Sequence, residues 1–303
     1  MKSTHAKGKL LLTGEYFVLD GAWALALPVR LGQSLRVTGG KEPGVLHWQS
    51  RNPDESVWFE ASFQWPDLSV LSSSDEATAR TLADILRACG RQVPDLFSAY
   101  PSLDIVTQND FPREWGLGTS STLIAALGQW TGANPYQVLF ETMGGSGYDI
   151  ACAYAEGPLL YRLQQGTPQV QAVQLAGPVE QLFFVYLGKK QNSREGIARY
   201  RERVQQQPEL VEKVSALSLR FLEATSLEAW NDLIREHETL VSQTLDLPRA
   251  KDLYFPDFPG EIKSLGAWGG DFVLATSQES DADTKAWFKE RGFPVCFNWA
   301  SLV

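Results

Sequence analysis

Cysteine is scarce in this chain: Cys89, Cys152 and Cys296 are the only three, far apart, odd in number and without CxxC spacing. That excludes a disulfide framework and a zinc site, and it suits a reducing cytoplasm with each thiol as a small buried hydrophobe. Basic runs are missing too, since no run of Lys or Arg exceeds two and the net charge is −9. A phosphate-covered polymer or an anionic membrane would be repelled over most of the surface, so neither nucleic acid nor lipid is an expected partner. A small anion would have to be held by backbone amides, a metal and a few placed cations. The apolar opening MKSTHAKGKLLLTGEYFVLDG is broken by Glu15 and Asp20 well short of the roughly 20 residues a bilayer demands, so it reads as neither a signal peptide nor a membrane span. Internal repeats, low-complexity tracts and the GxxxxGK[ST] loop are all absent.

What is present is a chain of 303 residues, 44% of them apolar, enough for two domains with real cores. Residues 9 to 20 and 24 to 38 read as strands around Asp20-Gly21, and LHWQS to VWFEASFQW continues the sheet. Ser73 with Glu76 reads as a capping box for a helix reaching about Gly90. A strand over 104 to 107 follows, then a helix opened by GLGTSST, and another opened by Asn134-Pro135 and stopped by Gly144-Gly145. GSGYDIACAYAEG reads as a turn and a two-turn helix. The pattern resets at Gly177-Pro178, which divides the chain into 1–176 and 177–303. Asn192 with Glu195 is expected to cap the next helix. A later helix carries Leu227, Trp230, Leu233, Ile234, His237 and Val241 on one stripe. Strands FVLAT and PVCFNW flank a short helix around Trp287, and the whole reads as α+β in each half.

Two glycine turns carry the chemical interest. GLGTSST at 116 to 122 opens a helix, whose first amides are unpaired and whose glycines let backbone approach a phosphate. Thr119 and Ser120 add oxygens of the kind a phosphate-bound Mg²⁺ accepts. An ordinary helix start would look the same. The dinucleotide fingerprint GxGxxG fails here, because Ser121 stands at the third glycine. The second turn, GAWGGDF at 266 to 272, follows Lys263. Asp149, three residues after Ser146, has the character of a base set by a turn or of a plain N-cap. Lys9, before the first apolar strand, reads by itself as a surface lysine.

Together these segments resemble a known family. GKLLLTGEYFVLDG is similar to the first motif of the galactose, homoserine, mevalonate and phosphomevalonate (GHMP) kinases. EWGLGTSST resembles their phosphate loop and IKSLGAWGGDF their third motif, in the family's order. The resemblance implies a two-domain fold, the N-terminal domain like the second domain of ribosomal protein S5 and the C-terminal one ferredoxin-like. It implies ATP and Mg²⁺ as cofactors, a small-molecule partner, and a monomer or homodimer. Asp149 falls on the catalytic aspartate, and Lys9 on the lysine that approaches it. Gly116, Leu117, Gly118, Thr119, Ser120 and Ser121, with Gly266, Ala267 and Gly269, fall on the nucleotide-binding turns. Glu15, Ser146, Gly147, Ser193 and Arg194 fall beside the substrate, Ser120 on the metal-binding serine, and Glu141 nearest to the second metal ligand. Glu114-Trp115 and Trp268 depart from the motifs, and a ring at 268 would narrow the nucleotide site or stack on its base.

The resemblance implies transfer of the γ-phosphoryl group to a small acidic metabolite, mevalonate or phosphomevalonate. The rivals are the diphosphomevalonate decarboxylase of the same superfamily, a catalytically silent ATP-binding regulatory protein and, more remotely, a dehydrogenase.

Overall fold

A computed structural model describes residues 1–189, 193–204, 207–266, 268 and 270–303; the side chains of Ser193 and Arg194 lie outside that description. The contacts divide the chain into two compact units that do not follow sequence order. One comprises residues 1–8, 31–113 and 117–154, the other 9–30, 114–116 and 155–303. A boundary at 176/177 therefore falls inside the second unit.

The strand β1 (Lys2–Leu11) pairs with β2 (Ala24–Gly39). The 16 residues of β2 serve both units: 33 to 39 pair with β6 in the first, 24 to 26 with β7 in the second. In the first unit β3 (Val45–Arg51), β4 (Val57–Gln64), β5 (Val70–Ser73) and β6 (Leu103–Asn109) line up as β5-β4-β3-β6-β2. Along that path β3 and β6 run parallel and the other neighbours antiparallel. Burial alternates along β6, every second residue from Leu103 to Asn109 being buried, as a sheet covered on one face requires. The cover is α1 (Glu76–Gln92), α2 (Thr119–Thr131), α3 (Pro135–Thr142) and α4 (Tyr148–Tyr154). Leu82, Leu86, Ile124 and Leu127 pack with Leu46, Trp48, Phe63 and Ile105 in one core. Each such large side chain contributes about 1.5–3 kcal/mol by leaving water.

Two local expectations are corrected. The segment 9 to 20 is not one strand, because Gly14 and Tyr16 take φ of 87° and 63°, which a strand cannot contain. Instead β1 ends at Leu11 and residues 17 to 20 form a single 3-10 turn. Asp75, not Ser73, caps α1, its Oδ1 accepting from the Thr78 amide at 2.7 Å. Asn134 caps α3 as expected, with Pro135 at the first helical position.

In the second unit β7 (Leu159–Gln164) and β8 (Thr167–Ala172) form a hairpin on the start of β2, joined by Gln165 and Gly166, both at positive φ. A separate antiparallel sheet contains β9 (Leu182–Tyr186), β10 (Ile262–Ser264), β11 (Phe272–Thr276) and β12 (Cys296–Asn298) in the order β10-β11-β9-β12. The helices are α5 (Ser193–Arg203), α6 (Pro208–Glu223), α7 (Leu227–Leu245), α8 (Ala250–Tyr254), α9 (Asp281–Glu290) and α10 (Trp299–Leu302). On α7 the buried stripe takes in Trp230, Leu233, Ile234, His237, Glu238 and Val241, so helical spacing puts two polar side chains inside. Asn192, expected to cap α5, lies outside the described residues.

Candidate functional site

In the first unit the glycine loop shapes a helix start with amides to spare. Gly118, at φ 96° and ψ 44°, is the N-cap of α2 and offers no side-chain acceptor, so among the described residues the first amides of the helix lack a side-chain cap. Inside the first turn Ser121 Oγ donates to the Gly118 carbonyl at 2.8 Å, and Thr122 Oγ1 lies 3.0 Å from the Thr119 carbonyl and from Gln33 Oε1. Leu117 is buried and anchors the turn. Ser120 is left exposed. The combination is uncapped amides, the positive end of a helix dipole and one accessible hydroxyl, which suits a phosphate carrying a cation.

The same unit holds Asp149, the second residue of α4, behind Ser146 and Gly147. Gly147 takes φ 87° and Ser146 is buried. Asp149 is half-buried, and its carboxylate accepts no hydrogen bond from a described residue. A capping aspartate would accept from an amide two or three residues on, so capping does not account for it. Its charge is felt at Tyr136, whose phenol is pushed up by burial first, then by Cys152 and Asp149.

In the second unit Lys9 is no idle surface lysine: its Nζ donates to the Gly116 carbonyl at 2.8 Å. Gly116 takes φ 70°, and a Cβ there would stand 2.3 Å from Asp271 Oδ2, so the carboxylate of the third motif lies directly against the glycine. Trp115 packs on Tyr186, Phe272 and Phe297 with ring centroids 5.9, 5.9 and 5.5 Å away. Trp268 is only 2% exposed, and its Nε1 donates to the Pro248 carbonyl at 3.1 Å. It packs in a core with Tyr16, Phe17, Tyr200 and Val241. The expectation that this ring narrows a nucleotide site or stacks on a base is thereby corrected.

Glu15, expected beside the substrate, is wholly buried. Its Oε1 lies 2.5 Å from Lys263 Nζ, and its Oε2 lies 3.2 Å from His237 Nε2. The adjacent Glu238 accepts from the Ser264 amide at 3.0 Å and from Ser264 Oγ at 3.3 Å, with Oε1 4.0 Å from Lys263 Nζ. Burial raises Glu15 against the opposing pull of Lys263, and pushes Glu238 up to about 8, with Lys263 lowering it and Glu15 raising it. His237 is lowered well below its usual value by burial and then by Lys263, so the ring is neutral. A substrate cannot touch a carboxylate with no exposed surface. The sequence singled out Glu15 but missed its partners Lys263 and Glu238 and the contact of Asp271 with Gly116; the available signal was Glu238 falling four residues after Ile234 on a buried stripe.

Among the described residues no group of three or more His, Cys, Asp or Glu side chains is placed to hold a metal. Glu141, near the end of α3, pairs with Arg91 Nη2 at 2.7 Å and is half exposed. Gly266 takes φ 66°. Ala267 and Gly269 lie outside the described residues, as do the side chains of Ser193 and Arg194, whose backbones open α5. No helix among the described residues is long and apolar enough to cross a membrane.

The chain has the fold of the GHMP kinases. It is similar to Streptococcus pneumoniae phosphomevalonate kinase in complex with phosphomevalonate and AMPPNP, at 15% identity over 100% of this chain and 98% of that one, TM-score 0.72. It is similar to Methanococcus jannaschii mevalonate kinase at 15% identity, covering 98% and 97%, TM-score 0.71. The L. major mevalonate kinase in complex with R-mevalonate is 19% identical, covering 98% and 94%, TM-score 0.66. No family model and no curated protein matches the sequence.

Proposed function

We propose that the chain is an ATP-dependent phosphotransferase that moves the γ-phosphoryl group of ATP to a hydroxyl or phosphate of a small acidic metabolite, mevalonate or phosphomevalonate. The observation that carries this reading is the glycine loop at 116 to 121, opening α2 with uncapped amides and an exposed Ser120, within a fold shared with kinases of those two acids. Phosphoryl transfer passes through a loose, highly anionic transition state, so positioning and charge neutralisation are what the protein supplies. The amides of the loop and the dipole of α2 hold the β- and γ-phosphates. Lys9, fixed on the Gly116 carbonyl, offsets charge on the transferring oxygens. Asp149 accepts or orients the acceptor hydroxyl proton as its oxygen bonds to γ-phosphorus and ADP departs.

The residues fit an Mg²⁺ that arrives with the nucleotide, since such an ion takes one or two protein ligands beside phosphates and water. Ser120 would hold it, and Glu141 would join only by giving up Arg91. Bound there, the ion would neutralise the β- and γ-phosphate oxygens. Ser146 and Gly147, beside Asp149, and Ser193 and Arg194, at the start of α5, are proposed substrate contacts.

The sheet β10-β11-β9-β12 is built wholly after residue 181. This supports a ferredoxin-like domain over 177–303, with an S5-like domain over 1–176. The scarcity of cysteine supports a cytoplasmic setting. The test is a coupled ADP-release screen over mevalonate, phosphomevalonate, diphosphomevalonate, homoserine and several sugars, with CO₂ measured in parallel. ADP release with one of the first two acids and no CO₂ is expected. CO₂ with ADP would point to the decarboxylase, and nucleotide binding without ADP release for any acceptor would contradict the enzyme reading.

A further inference from the structure

Three consecutive residues, Gly14, Glu15 and Tyr16, each reach a partner more than 200 positions away in the second unit. The Gly14 amide donates to His237 Nε2 at 3.4 Å, Glu15 pairs with Lys263, and the Tyr16 hydroxyl accepts from the Trp268 amide at 3.0 Å. Lys263 and Ser264 belong to β10, which leads into Gly266 and Trp268, and Asp271 after them lies against Gly116. Asp271 is itself fixed, its amide donating to the Lys189 carbonyl and its carbonyl accepting from the Leu187 amide, both at 2.8 Å. Two carboxyl groups and a single ammonium, all wholly or almost wholly buried, thus sit at the root of the second glycine turn. A buried pair of this kind is weak evidence for stability, because hydrophobic residues of similar volume do as well or better. What it does supply is a fixed geometry.

We propose that Glu15, Lys263 and Glu238 form a buried clamp that positions the backbone at Gly266, Trp268 and Asp271 for the nucleotide, acting as positioning residues and not as substrate contacts. The nucleotide in that statement rests on the proposed kinase reading. Lys263 acts by also donating to the Ser264 carbonyl at 2.9 Å, Glu238 by accepting from the Ser264 amide and hydroxyl, and Glu15 by holding Lys263.

The clamp has a pH limit. Glu238 faces Lys263 and Glu15, beside neutral His237; Arg249 also senses its charge but is committed to Asp252 at 2.9 Å. Burial and the Glu15 charge hold Glu238 protonated up to about pH 8. Above that, two buried carboxylates share one ammonium and the turn loosens.

The test follows the pH profile of KM for ATP and of kcat in the wild type, Glu238→Gln and Glu15→Gln. It adds hydrogen exchange of peptides spanning 262 to 273, corrected for intrinsic rates, without nucleotide. In the wild type KM for ATP is expected to rise above about pH 8, by at most about tenfold per pH unit for a single titrating group, with kcat changing less and exchange accelerating in step. In neither variant does the rise survive, since one lacks the titrating acid and the other lacks the competing charge. A rise that persists in Glu238→Gln, a flat wild-type profile, or exchange that changes while KM does not would overturn the proposal. A wild type that binds no nucleotide would defeat the kinase reading instead, and unchanged exchange across pH 8 would still refute the clamp by itself.

Discussion

Lys9 Nζ holds the Gly116 carbonyl at 2.8 Å, and Asp271 presses on the same glycine from the third motif. Three segments far apart in sequence therefore meet at one residue of the glycine loop. Lys9→Met keeps the aliphatic stem and removes the charge. Loss of one placed donor to developing charge costs about 10²- to 10³-fold in kcat. Steady-state kinetics of the variant, with unchanged circular dichroism, would check this.

Asp149 sits at the start of α4 with no capping duty. Asp149→Asn is therefore expected to leave the thermal midpoint in place while lowering kcat by about 10²- to 10⁴-fold, the range for a lost general base. A variant that unfolds earlier with activity intact would mean that the carboxylate serves the fold.

Gly118 caps α2 in a left-handed conformation, at φ 96°. Alanine there pays about 1–2 kcal/mol for that geometry, and it crowds the amides offered to phosphate. Gly118→Ala should show both a lowered denaturation midpoint and weaker AMPPNP binding by calorimetry.

Removing one partner of the buried Glu15 and Lys263 pair strands the other. Lys263→Met is expected to destabilise the protein by about 3–5 kcal/mol in chemical denaturation. Glu15→Leu with Lys263→Met should cost less than the sum of the singles.

Glu238 gives a sign to the pH dependence of stability. Its folded value, about 8, lies above the ordinary carboxylate value of 4.5, so the folded state holds a proton that the unfolded state has released between those pH values. Stability then falls as pH rises through that window, by up to about 1.4 kcal/mol per pH unit from this group. Glu238→Gln should flatten that part of a denaturation series run across pH.

The sequence made the motifs legible because each depends on local chemistry: glycine at a helix start, asparagine before proline, alternation along β6. Asn134 and Gly118 fell where backbone requirements put them. Long-range pairing was not legible. Nothing near Glu15 in the chain announces Lys263, and a carboxylate in a motif looks the same facing a substrate or facing a buried lysine. Trp268 shows the same gap, since its departure from the motif suggested a ring in the site, whereas the interior of the second unit has room for it. The strand expected over 9 to 20 failed because the apolar pattern of that stretch serves burial around a turn at Gly14 and Tyr16, not a pleat.

The most direct measurement follows the γ-phosphoryl group itself. The protein, Mg²⁺ and γ-labelled ATP are incubated with mevalonate or phosphomevalonate, and the label is traced by chromatography and mass. The account predicts label in the organic product with the wild type and almost none with Asp149→Asn. Label appearing only as inorganic phosphate, or equally in the organic product of both proteins, would contradict it.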